Sequence, residues 1–263
     1  MKTAIPLLAV AACLAANLGM AAQPRLAPAW RGTVPARGGT PWDEALAGRL
    51  TLGTRLTPFL LLDDESDTGF LGTISKLEAE EDYFPWKFLV EYHFTPRWGV
   101  ELTWDQIAAH AVTHAADHHM DGDFELTGPI LSAVYHLEKR GRFQPYAELG
   151  LAWMVADFDP AKWWALGYAH ESDWVYWNYS DEPRNSITRK IQVDDAPGVI
   201  LAAGSRIEIT RHWSGDLLLR YMYLEPEAEF TEYRKGMPIP GVADEGPIPL
   251  SNLALGLGAT YTF

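Results

Sequence analysis

The chain has 263 residues, of which 48% are hydrophobic and 12% aromatic, and its formal net charge is −14. That charge excludes nucleic acid as a partner, because phosphate binding needs clustered Lys and Arg. No stretch reaches the roughly 18 uncharged apolar residues of a membrane-spanning helix, and the lone Cys13 rules out disulfides and thiolate metal sites as organisers of the fold.

The chain opens with Lys2, an apolar run from Ala4 to Ala16, and small residues around Gly19-Met20-Ala21-Ala22. This is the layout of a secretory signal peptide over 1–22, with cleavage expected after Ala21 or Ala22. Val10-Ala11-Ala12-Cys13 offers the alternative of a lipoprotein box. Residues 23–47, with Pro24, Pro28, Pro35 and Pro41, read as an irregular tail.

From Gly48 onward, eight segments alternate between apolar and polar or small residues: 48–62, 85–94, 98–107, 127–137, 143–156, 197–210, 213–225 and 250–263. The gaps between them run 22, 3, 19, 5, 40, 2 and 24 residues. An even number of strands joined alternately by long loops and tight turns is the plan of an outer-membrane barrel. In 85–94, Trp86, Phe88, Val90 and Tyr92 share one face, with Lys87, Glu91 and His93 on the other. In 213–225, Trp213, Leu217, Leu219 and Tyr221 oppose Ser214, Asp216 and Arg220. Charges on every inward face would be ruinous in a soluble sandwich core. In a barrel, lipid takes the apolar face and the charges meet one another inside.

Strand direction sorts the inward residues by height. Phe59, Leu89, Ile130, Met154, Ile200, Met222 and Leu224 are expected to line an apolar cup open to the outside. Arg55, Glu91, His93, Glu101, Glu148, Arg206, Glu208, Asp216 and Arg220 are expected to form an ionic floor beneath it. Eight strands enclose barely enough room for their own side chains, so the floor is expected to be a paired plug.

The loops carry further candidates. Loop 63–84 holds eight acids against Lys76, and loop 157–196 is rich in aromatics from Trp163 to Tyr179. His110, His114 and His118 recur at helical spacing, so a short helix in loop 108–126 would present three imidazoles to one metal ion. His212 and Ser214 resemble the His and Ser of the outer-membrane lipid A deacylases, with Glu225 or Glu227 as the sequence candidates for the orienting acid, but the strand directions put His212 in a periplasmic turn and Glu225 across the membrane.

Leu126-Thr-Gly-Pro-Ile-Leu-Ser-Ala-Val-Tyr-His-Leu137 and Gly141-Arg-Phe-Gln-Pro-Tyr-Ala-Glu-Leu-Gly-Leu-Ala-Trp153 are similar to strands four and five of the OmpW family of small outer-membrane barrels. Trp213–Leu224 and Gly256–Phe263 are similar to its seventh and last strands. The resemblance covers about residues 48–263. It implies an eight-stranded barrel with a hydrophobic internal channel and lateral release of small apolar solutes. The closing Phe263 looks like the signal read by the outer-membrane assembly machinery.

The sequence therefore predicts an all-β chain. Its fold is an eight-stranded antiparallel transmembrane β-barrel of the Gram-negative outer membrane, with four long outer loops and short periplasmic turns. Its expected partners are outer-membrane lipid, lipopolysaccharide and small hydrophobic solutes, with no cofactor and no catalysis. Two alternatives stay open: an adhesive or structural envelope barrel acting through its acidic and Trp-rich loops, and a lipid A deacylase-like enzyme.

Overall fold

The structure is a computed structural model that describes residues 46–66, 69–72, 74–80, 85–113 and 120–263. The signal peptide, nearly all of the tail, and His114 and His118 lie outside the described residues. The strands are β1 (Leu50–Leu56), β2 (Phe59–Leu61), β3 (Ile74–Ala79), β4 (Trp86–His93), β5 (Trp98–Thr113), β6 (Met120–His136) and β7 (Phe143–Pro160). Two short helices follow, α1 (Lys162–Ala165) and α2 (Glu171–Tyr176). The chain continues with β8 (Ile187–Val193), β9 (Ala196–Glu208), β10 (Trp213–Tyr223), β11 (Glu227–Arg234), β12 (Met237–Pro238), β13 (Asp244–Pro247) and β14 (Asn252–Thr262).

Eight of these close on themselves in the order β1-β4-β5-β6-β7-β9-β10-β14, and β14 returns to pair with β1 from Thr51↔Thr262 to Leu56↔Leu257. Every neighbouring pair is antiparallel. Closure leaves the wall no edge strand, and its ladder bonds are made between neighbouring strands, which is what a bilayer demands. Phe263 seals the seam: its N–H bonds to the carbonyl of Leu50, and its carbonyl accepts from Gly48.

Parity decides the two faces. Along β4 the exposed residues are Trp86, Phe88 and Val90, while Lys87, Leu89 and Glu91 are buried. Around the barrel Leu102, Leu131, Leu149, Leu151, Leu201 and Leu255 all stand exposed on the outer surface. In water so many exposed leucines in one band would be a defect; facing acyl chains, they are the apolar belt of a membrane barrel. Trp86, Trp98, Phe143 and Trp213 each open a strand on the exposed face, where an aromatic girdle belongs.

The outer side differs from the sequence expectation. β5 and β6 run on together to Val112↔Met120, so most of the expected 19-residue loop is strand. The reason is burial on both faces: Ile107, Ala108, Ala109, Ala111 and Val112 are all buried, and that erases the alternation which marks a strand. β3 extends β4's position by pairing with this outer part of β5. Loops three and four contribute a second sheet, in which β11 pairs with β8, β12 and β13. Above the belt, the barrel thus carries an ordered outer lobe.

Candidate functional site

Three layers of charged side chains fill the barrel from its short-turn end upward. In the lowest, Glu91 accepts from His136 Nε2 at 2.6 Å and is paired with Arg206. His93 lies beside them, with its ring 5.0 Å from that of His136. The middle layer centres on Arg55. Its Nη1 and Nη2 reach the two oxygens of Glu101 at 2.5 and 2.9 Å, its Nε bonds Asp216, and Glu148 lies 3.5 Å away. This two-pronged fork fixes direction as well as charge. Tyr146 donates to the second oxygen of Asp216 at 2.7 Å. In the top layer Asp105 lies between Lys87 at 2.7 Å and Arg220 at 2.5 Å.

Each of these carboxylates and cations is buried. Five carboxylates (Glu91, Glu101, Asp105, Glu148, Asp216) face four cations (Arg55, Lys87, Arg206, Arg220). Charges removed from water are tolerated only with close partners and satisfied lone pairs. The void left beside them, bounded by Arg55, Lys87, Glu101, Glu148 and Arg220, is about 20 Å³, room for roughly one water. That void is too small for a hydrated solute.

Gly204 makes the middle layer possible. A β-carbon there would come within 2.4 Å of Tyr146 Cζ and 2.6 Å of the Leu217 carbonyl oxygen. Gly204→Val should push Tyr146 off Asp216 and cost about 1–3 kcal/mol by overpacking, read as a lower urea midpoint for the folded barrel.

Above the ions the interior turns apolar. Phe59, Ile130, Met154, Ile200, Met222 and Leu224 all point inward, are buried, and belong to one continuous hydrophobic cluster. Leu89 departs from that set. It is buried between Lys87 and Glu91 on β4, level with the ion layers and outside the cluster. The cup itself is not open. Leu71, Phe124, Phe158, Trp164 and Phe230 continue the same cluster into the outer lobe. The rings of Phe124 and Phe158 lie 4.7 Å apart at a 46° tilt, and Trp164 contacts Phe158 and Phe230 at 5.8 and 5.9 Å. Trp163, Trp164 and Tyr168 of loop three turn inward because burying such large rings is strongly favourable. Val175, Tyr176, Trp177 and Tyr179 stay exposed.

One crevice breaks the outer wall. β7 pairs with β9 only up to Met154↔Ala196; beyond that, β8 lies beside the outer end of β7 but pairs with β11 instead. The opening, about 370 Å³, is lined by Asp157, Phe158, Pro160, Lys190, Ile191, Gln192 and Val193. Its inner wall is Phe158 and Ile191, both members of the apolar cluster.

Two expectations are corrected, those for Glu208 and His110. Glu208 is the last residue of β9 and sits half-exposed at the rim, paired with Lys139 of the β6–β7 turn, not on the floor. His110 lies in strand β5 rather than on a loop helix, and donates from Nδ1 to Asp123 across the ladder at 2.5 Å. His212 and Ser214 form no triad with Glu225. His212 Nδ1 donates to the Thr262 carbonyl at 2.8 Å, while Glu225 accepts from Tyr223 at the opposite end of β10. The sequence reading left Lys87, Asp105, Tyr146 and His136 out of the floor. Parity was the available signal: Tyr146 has that of Glu148, and His136 that of Ile130.

Solved structures share this architecture. The outer membrane protein OprG from Pseudomonas aeruginosa superposes with a TM-score of 0.59 at 16% identity, over 82% of this chain and 96% of that one. AlkL in lipid bilayers and outer membrane protein W of E. coli each give a TM-score of 0.48 at 16% identity, over 82% of this chain and 90% and 98% of theirs. No protein-family model matches the chain, and no curated protein matches it. The fold is the closed eight-stranded antiparallel barrel that OprG also adopts.

Proposed function

We propose that the protein sits in the Gram-negative outer membrane and takes up small hydrophobic molecules from the outside, without catalysis. The observation that carries this reading is the crevice between β7 and β8, whose inner wall is continuous with the apolar column reaching down to Ile130, Met154 and Ile200. An apolar solute entering over Phe158 and Ile191 stays in an apolar environment as far as the ion layers. There the lumen is blocked, so the exit is sideways into the bilayer.

The wall has a place suited to that exit. β6 pairs with β7 at Thr127↔Val155 and again at Ile130↔Ala152, but Gly128 and Pro129 make no pair between. Pro129 has no N–H to give the ladder. On the other side of β7, Trp153 faces Pro197. Wall residues that make few ladder bonds part at the lowest cost. The lipid-facing and lipopolysaccharide-facing surfaces and the route of assembly follow from the same reading.

The test is uptake of an apolar fluorescent probe into vesicles reconstituted with the folded barrel. Val193→Trp, which fills the crevice from a half-exposed position, should slow uptake about tenfold, equivalent to 1.4 kcal/mol of barrier. Uptake unchanged by Val193→Trp would remove the crevice from the route. The exposed Tyr176, Trp177 and Tyr179 favour a second reading, adhesion through loop three. Replacing all three with Ala separates the two: uptake persists under the first reading, and surface binding is lost under the second.

A further inference from the structure

Glu91, His93 and His136 stand at the short-turn end of the barrel, the periplasmic end in this architecture, with one ligand atom of each within 4.8 Å of the others. Glu91 and His93 are two apart on β4, so both point inward; His136 comes from β6. β5 lies between these two strands, and a side chain on it would keep them apart. At that height β5 carries Gly99, paired with His93 on one side and Val134 on the other. A β-carbon at Gly99 would lie 2.6 Å from Glu91 Oε1. The glycine leaves a cradle in which the three groups meet.

We propose that Glu91, His93 and His136 bind a divalent transition-metal ion of the zinc class at the base of the barrel. Two imidazoles and one carboxylate, with a position left for water, are the ligand set of an open zinc site. Glu91 Oε1 already lies 2.6 Å from His136 Nε2 and 3.6 Å from His93 Nε2. An ion about 2.0–2.1 Å from each ligand atom holds them somewhat over 3 Å apart, so the two imidazole nitrogens, which lie within 4.8 Å of one another, close by up to about 1.5 Å between them. His136 Nδ1 is buried and makes no hydrogen bond among the described residues, so no acceptor holds the ring's proton there or bars it. Binding therefore moves or releases the proton that Nε2 now gives to Glu91. Arg206 holds the other oxygen of Glu91 and fixes the carboxylate's direction. Its charge is offset by Glu101 at 3.8 Å and by the one-carboxylate excess of the three layers. His93 keeps part of its ring exposed, which gives the ion a way in.

The experiment uses the full folded chain in detergent, prepared without a histidine tag. His110, His114, His118 and His119 are all replaced by Ala, so that outer-side histidines contribute nothing. Zinc is measured by equilibrium dialysis and cobalt(II) by its visible absorption. The expected result is about one zinc per chain and a cobalt spectrum of four- or five-coordinate type. His93→Gln and Gly99→Val should each reduce bound zinc to near none while heat-modifiable migration shows the barrel still folded. Where a variant fails to fold, zinc protection of His93 and His136 from diethylpyrocarbonate in the unaltered site serves in its place. Zinc bound equally by His93→Gln, a six-coordinate cobalt spectrum, or no protection of the two histidines would overturn the site.

Discussion

Arg55→Ala is expected to destabilise the folded barrel by about 3–5 kcal/mol, the cost of leaving buried carboxylates without their cation. Arg55 is the hub of the middle layer, bonding Glu101 through both Nη atoms and Asp216 through Nε, with Glu148 at 3.5 Å. Removing it leaves three buried acids sharing one level of the barrel. Arg206, 3.8 Å from Glu101, is already engaged with Glu91 and cannot replace it. Equilibrium unfolding in urea, followed by the folded band's migration in detergent or lipid vesicles, measures the loss. A value under about 1 kcal/mol would mean that water enters the layer freely, as it does around surface pairs. Glu148→Gln supplies the contrast. Glu148 is the most distant of Arg55's three acids, and five carboxylates already face four cations. Removing that one charge should leave stability unchanged or raise it.

The eight wall strands were legible in the sequence because a bilayer enforces a strict two-faced pattern. Lipid on one side and packed charge on the other leave no position ambiguous by parity, as Trp86-Lys87-Phe88-Leu89 shows. The outer lobe was not legible for the converse reason. Above the belt, β5 is buried on both faces from Ile107 to Ala109, and its His110 shares with His114 a four-residue spacing that reads equally as a helix. β8 and β11–β13 pair with one another above the membrane, where no lipid face disciplines their sequences. Parity also assigns a face without a depth. It put Glu208 on the inside, but a terminal residue of β9 sits at the rim, where Lys139 reaches it. It put Leu89 inside as well, yet the layer beneath the cup is where β4 carries it. The site at the barrel's base needed one further piece, Gly99, whose meaning lies in what stands on either side of it in space rather than in sequence.

Leu149→Arg distinguishes a lipid-facing surface from a solvated one by the sign of its effect. Leu149 is 62% exposed, near the middle of β7's outer face between Phe143 and Trp153. On a soluble sheet, an exposed leucine replaced by arginine is neutral within about 0.5 kcal/mol or improves solubility. In a bilayer, a cation at the midplane of a barrel's lipid face costs about 2–4 kcal/mol. The cost should fall to about 0–1 kcal/mol when the same change is made near the interface, as at Phe143. That depth dependence excludes a general packing defect, because both side chains are exposed and neither holds a neighbour in place. Unfolding free energies in lipid vesicles give the two values directly. Equal effects at Leu149 and Phe143 would deny the exposed leucines a membrane. A difference of about 2 kcal/mol places the mid-belt leucines among acyl chains.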